Sequence, residues 1–179
     1  MREIKFRAWS NKYQHMFRVS EISQDRSGYT HGIVDAEFKN EFEPEFDSPF
    51  AWIGRVDFKK SSDGRVAALG QNPDDEPFYL MQYTGLKDKN GREIYEGDIL
   101  KRTVTIIVYG SGKPPEDVVE YMKVEYREDY AGFYISERPL HAYVDNTLDI
   151  DTGCRCTKPE VIGDVYRNPK LLEASHASE

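Results

Sequence analysis

The amino-acid sequence predicts a mainly β fold, with an N-terminal β segment, a small bent barrel in the second half and a short C-terminal helix. Three observations carry that reading. β-branched and aromatic residues outnumber Ala, Leu and Met by more than two to one, and such side chains fit a pleated, half-buried surface. Apolar and polar residues alternate at period two in several segments. Two tight turns fall close together within Tyr83–Leu100 and lead straight into alternating strands, which suits a strongly bent sheet better than a flat one.

Each element has its own justification. Ile4, Phe6 and Ala8 share one parity against Glu3, Lys5 and Arg7, which marks a first strand. Phe50, Trp52, Val56 and Phe58 mark a second, with Gly54 as a bulge or close-approach point. Leu100, Val104, Ile106 and Val108 oppose Lys101, Thr103 and Thr105, although Ile107 interrupts the polar face. Val118, Met122, Val124 and Tyr126 form the next alternating set, and the turn-like EDYAG leads from it into Phe133–Ile135 as a hairpin. A last strand covers Val161–Tyr166, after which Asn168 can cap and Pro169 can open a terminal helix. The Gly-, Pro- and acid-rich stretch Gly70–Pro77 is the best domain boundary. The expected organisation is a β-rich region over 1–75, the barrel over 76–173 and a frayed tail over 174–179.

Charge and composition narrow the function classes. The 179 residues carry a formal net charge of -8, so the long-range field repels phosphate and disfavours sequence-independent binding to duplex DNA. No apolar run is long enough for a membrane span, and the charged start lacks a signal-peptide core, so a cytoplasmic protein is expected. Cys154 and Cys156 are one residue apart, which fits neither zinc knuckles nor thioredoxin-like pairs; two free thiols are expected, with no metal and no cofactor.

Residue patterns for catalysis are sparse. His15, His31, His141 and His176 are scattered, and Gly110–Lys113 lacks the first glycine and the final hydroxyl residue of a phosphate loop. Glu96 and Asp98 could serve as paired carboxylates, but an Asp after Gly before a strand more often bonds nearby backbone amides. Asn90 and Gly91 are expected to supply the positive φ angles of one tight turn, and Gly97 and Asp98 to make the second. No catalytic residue is assigned.

Binding surfaces have more support. Asp35–Asp47 is acidic and spaces Phe38, Phe42 and Phe46 four apart, which on a helix would form one aromatic stripe, though Pro44 opposes a continuous helix. The stripe could dock on a basic partner, or the rings could pack on the domain with the acids in water. Tyrosines recur through the second half at Tyr79, Tyr83, Tyr95, Tyr109, Tyr121, Tyr126, Tyr130, Tyr134 and Tyr143. Lys101, Arg102, Lys123 and Arg127 lie near some of them, diluted by Glu120, Glu125, Glu128 and Asp129. Exposed aromatics on small barrels stack bases or grip peptides; half-buried strand tyrosines are the ordinary alternative. Among these, Tyr83, Tyr95, Tyr109, Tyr121, Lys101 and Arg102 are the candidate contacts.

Three strings together resemble one family. YTGLKDKNGREIYEGDIL at Tyr83–Leu100, REIKFRAW at Arg2–Trp9 and EVIGDVYRNPKLL at Glu160–Leu172 are similar, in order, to the signatures of the YopX family of phage and prophage proteins. The resemblance implies a mainly β protein with a Src-homology-3-type barrel in its second half, encoded by a phage or prophage and working in the bacterial cytoplasm. It implies no reaction. Asp35–Asp47 and Gly110–Asp117 depart from the family as insertions, and the Cys154–Cys156 loop matches none of its patterns.

The expected function is therefore a non-enzymatic accessory protein that binds another protein, with self-association through open sheet edges as one form. The alternative is single-stranded nucleic-acid binding, which the acidity opposes.

Overall fold

The computed structural model describes residues 3–26, 28, 30–38, 50–59, 77–108 and 110–176. They form a mainly β chain that divides into two compact units, Ile4–Gln82, and Tyr83–Glu179 with Met1–Glu3. The division falls inside one long strand.

The first unit contains β1 (Phe6–Ser10), β2 (His15–Gln24), β3 (Thr30–Phe38), β4 (Phe50–Lys59) and the first half of β5 (Phe78–Lys87). Strands β1 to β4 pair in antiparallel sequence. β5 then pairs β4 in parallel and β1 antiparallel, so the pairings return to their start. Ala8, Phe17, Val34, Phe58 and Phe78 form the core, with Phe17 edge-on to Phe78 at 5.0 Å between ring centroids. β1 starts later than the alternation suggests: Ile4 precedes it and is 70% exposed, whereas Trp9 and Ser10 are buried. The β3–β4 ladder runs through Gly54, paired with Val34, without a bulge; the register shift of this unit lies between Val19 and Glu21 of β2 instead.

The second unit contains the end of β5, β6 (Glu93–Tyr95), β7 (Asp98–Ile106), β8 (Glu116–Lys123), β9 (Glu125–Arg127), β10 (Gly132–Ile135), β11 (Arg138–Pro139), α1 (Leu140–Val144), β12 (Arg155–Cys156), β13 (Glu160–Asp164) and α2 (Lys170–His176). β7 is central, with β8 on one side and β12 and β13 on the other, while β9, β10 and β11 make a separate three-stranded sheet. Ile94, Leu100, Met122, Val124, Ile135, Leu140, Tyr143, Val144 and Val161 build the core.

The set Val118–Tyr126, read from sequence as one strand, is two. Val124 lies between β8 and β9, fully buried, and its backbone bonds Gly97 and Asp98. Those bonds turn the chain from one sheet into the other. EDYAG does connect a hairpin, but its arms are β9 and β10. At the end of β7, Val108 is exposed rather than inward. Helix α1 has no counterpart in the sequence reading; Pro139 stands at its N-cap, and Leu140, Tyr143 and Val144 fall on one buried face.

The last strand and α2 are locked by a close approach. Asn168 accepts the Leu171 backbone N–H through its carbonyl at 3.1 Å, while its side chain folds over Gly163. A Cβ on Gly163 would lie 2.3 Å from Asn168 Oδ1 and 2.8 Å from its Cγ. Gly163→Ala is therefore expected to lower stability by about 1–3 kcal/mol, the usual cost of overpacking, read as a lower urea midpoint. Adding Asn168→Ala should recover part of the loss, and no recovery would refute the contact as its cause.

Candidate functional site

Two arrangements in the second unit bring together charged and aromatic side chains: one buried beside β7, one exposed on the β9–β10 hairpin. The buried one centres on Arg102. Its position between Leu100 and Val104 gives it the inward parity of β7, and only 4% of it is exposed. Its Nη2 donates to Asp149 Oδ2 at 2.5 Å and its Nε to Glu120 Oε2 at 2.7 Å. The guanidinium lies 4.4 Å from the centroid of the Tyr143 ring, and its Nη1 is 3.9 Å from Cys156 Sγ.

Each partner comes from a different element. Glu120 is the cross-strand neighbour of Arg102 on β8. Tyr143 belongs to α1 and Cys156 to β12. Asp149 comes from the loop between them, where its Oδ1 accepts from the Asp151 and Thr152 backbone N–H groups and from Thr152 Oγ1. Burial pulls the Asp149 carboxyl upward, but the hydrogen bonds from Thr152 and Arg102 outweigh that and hold it below the usual carboxylate range. Burial likewise lowers the Arg102 affinity for its proton, and Glu120 and Asp149 more than compensate. The Cys156 thiol is pushed up by burial, with Arg102 opposing. Arg102 and Asp149 are buried, so this charge set fixes geometry, while the Glu120 side chain stays part-exposed.

The exposed arrangement is built by the hairpin. Residues Glu128–Ala131 form the turn between β9 and β10, with the Ala131 N–H donating to the Glu128 carbonyl at 3.3 Å. Gly132 stands opposite Arg127 in the ladder. The Tyr134 ring lies beside this glycine, with Cε2 3.4 Å from where a Cβ would be. Arg127 then sits 4.9 Å from the Tyr130 centroid and 5.7 Å from that of Tyr134, and the two rings are 5.2 Å apart. Asp129 accepts from Arg127 Nη2 at 2.7 Å and Glu137 from Nη1 at 3.0 Å. The Asp129 hydrogen bond, then that of Glu137, raises the Arg127 pKa, and the Asp129 carboxyl is lowered chiefly by its bond to Arg127. Tyr130 is left 58% exposed. On the other face of the hairpin Tyr126 meets Phe133, which packs on the core.

The candidate residues from sequence are dispersed. Arg102 is the buried centre just described, not part of a surface basic patch, because its even parity in β7 turns it inward. Lys101 faces the other way, half-buried between Tyr121 on β8 and Glu160 on β13. Tyr83 is buried, and its ring is 5.5 Å from that of Tyr95, whose hydroxyl donates to Glu93. Phe38 ends β3; Phe42, Phe46 and Tyr109 lie outside the described residues, with most of the acidic stretch.

The turn residues have definite places. Gly91 has φ 81° and Gly97 φ 78°, but Asn90 does not share the positive φ expected of it. Asp88 does the work there instead: its Oδ1 accepts from the Asn90 and Arg92 N–H groups, and its Oδ2 from Val161 N–H at 3.0 Å. Asp98 is fully buried and accepts from Tyr95 N–H at 2.8 Å. Among the described residues no group of three or more His, Cys, Asp or Glu side chains could hold a metal ion, and no helix is long and apolar enough to cross a membrane.

These units define a mainly β protein whose second half is organised around one buried ion network. The family model for YopX protein matches residues 5–173, so the chain belongs to the YopX family. Among solved structures it is similar to protein EF1440 from Enterococcus faecalis, with 25% identity, 96% of this chain and 99% of that one covered, and a TM-score of 0.51. No curated protein matches it.

Two outcomes follow from the geometry. Because the folded Asp149 pKa lies below its unfolded value, its stabilisation is complete above about pH 4 and is lost as pH falls through the folded value. Asp149→Asn should therefore be less stable than the wild type at pH 7 in urea unfolding, and the gap should narrow across that acidic window. A gap independent of pH would refute the ionic role. Ala131 carries a left-handed φ of 47°, which costs a non-glycine residue roughly 1–2 kcal/mol. After the entropic penalty of glycine, Ala131→Gly should raise stability by about 0.5–1 kcal/mol; a lower thermal midpoint would contradict this.

Proposed function

We propose that this YopX-family chain is a non-enzymatic protein-interaction module, an accessory protein of a phage or prophage that acts in the bacterial cytoplasm through the outward face of the β9–β10 hairpin. One observation carries the reading. Arg127, Tyr130 and Tyr134 form a pre-ordered stack on that face, with Tyr130 mostly open to solvent. Rigid tyrosines supply contact area at low entropic cost, and Tyr and Arg dominate the energetics of protein interfaces. The Phe38, Phe42 and Phe46 segment remains a second candidate contact on its charge and spacing alone.

Single-stranded nucleic-acid binding has the same stacked rings in its favour. The carboxylates that hold Arg127, together with the net charge of -8, oppose a phosphate backbone at this surface. Self-association is an interaction of the same class and would appear as a higher mass in light scattering.

Capture by the tagged chain from host extract, with and without nuclease, tests the proposal. The expected result is a stoichiometric protein that survives nuclease and is lost with Tyr130→Ala, while the unfolding midpoint of the variant stays near that of the wild type. Recovery of nucleic acid alone, or capture indifferent to Tyr130→Ala, would overturn it.

A further inference from the structure

We infer that the partner presents an arginine-bearing, positively charged segment to Tyr130, an inference that rests on the interaction reading above. The first argument is the charge around the ring. Arg127 is the one cation of the stack, and its Nε and Nη2 are taken by Asp129 and its Nη1 by Glu137 and the Ser136 carbonyl. Its positive charge is thus matched on the spot, and few of its donors remain for a ligand. Asp129 and Glu137 keep acceptor capacity, because a carboxylate accepts more bonds than each makes here. Glu137 is 82% exposed at its side chain, and Glu128 stands exposed in the same turn. The surface beside Tyr130 is therefore acidic, like the whole molecule, and attracts cations over distance.

The second argument is chemical precedent within the chain. Arg127 shows what this surface accommodates: a planar guanidinium against tyrosine rings at 4.9 and 5.7 Å, with its edges on carboxylates. A partner arginine on the open part of Tyr130, with Glu128 or Glu137 at its edge, repeats the same contacts. Lysine would satisfy the charge but not the planar stack or the forked hydrogen bonds. A nucleobase would satisfy the stack but bring phosphate toward the carboxylates.

Fluorescence anisotropy on the full chain tests this with four labelled probes: a short Gly/Ser peptide carrying three arginines, the same peptide with lysines, the same with glutamates, and a single-stranded oligonucleotide. The arginine peptide should bind tightest, weaken with added salt, lose about tenfold in affinity to Tyr130→Ala and retain it with Tyr130→Phe. Glu128→Gln with Glu137→Gln should weaken it further. Equal affinity for the arginine and lysine peptides, indifference to Tyr130→Ala, or tighter binding of the oligonucleotide would each overturn the inference. If host capture depends on Tyr130 while the arginine peptide does not bind, this inference falls and the interaction reading stands; if capture also ignores Tyr130, both fall.

Discussion

The second unit depends on the burial of one charge. Removing a guanidinium from water costs several kcal/mol unless its charge and hydrogen bonds are matched, so Arg102 can occupy the inward face of β7 only where opposite charges reach it. Glu120 arrives from β8 and Asp149 from the loop after α1, while the Tyr143 ring covers one side. The positions of β8, α1, β12 and that loop are therefore joint conditions of a single side chain. Such a network adds less net stability than a hydrophobic replacement could, but it is unforgiving of register. A one-residue slip of β7 against β8 would turn Arg102 outward and strand two carboxylates.

The same economy appears in the turns. Asp88, Asp98, Asp149 and Asp164 are all buried, and each accepts backbone N–H groups from a neighbouring turn. Asp164 takes those of Tyr166 and Arg167 while its other oxygen accepts from Arg167 Nε. Short strands leave many backbone amides without ladder partners, and a buried amide must find an acceptor. Aspartate supplies one at short range. At Asp149, whose carboxyl is held below its usual range by the hydrogen bonds from Thr152 and Arg102, the cost is acid sensitivity, since a protonated carboxyl is a poorer acceptor.

Sequence periodicity reveals the strands because alternation is local, and it fails where the decisive partner is distant. Leu100, Arg102 and Val104 share one parity, so the burial of Arg102 was legible in the spacing of β7. Its partner Asp149 was not, since nothing local to Asp149 distinguishes it from the exposed Asp151 two residues later. The apolar continuity of Val118, Met122, Val124 and Tyr126 concealed the break at Val124, because a residue bonded between two sheets is as buried as one within a strand. EDYAG was readable as a turn from its composition. The stack above it was not, because it depends on the register that puts Arg127 and Tyr134 on the same face of the hairpin. Two of the three strings behind the YopX resemblance, Tyr83–Leu100 and Glu160–Leu172, are turn-rich, and they lie where Asp88, Asp98 and Asp164 fix the backbone.

Two arginines in this unit have the same surroundings and opposite consequences. Arg102 and Arg127 are each held by two carboxylates and one or two tyrosine rings. Around Arg102 the core closes over the guanidinium and Asp149, so removal of the arginine leaves a buried carboxylate unpaired. Around Arg127 water remains, and exposed ion pairs contribute little to stability. The hairpin is held from its other face, where Phe133 and Ile135 pack into the core. The rings and charges above it are therefore free to change without loss of the fold. An ordered aromatic surface that the fold does not need for its stability is the part of the molecule on which binding and folding can be separated by mutation, and that separation makes the hairpin the informative place to look for a partner.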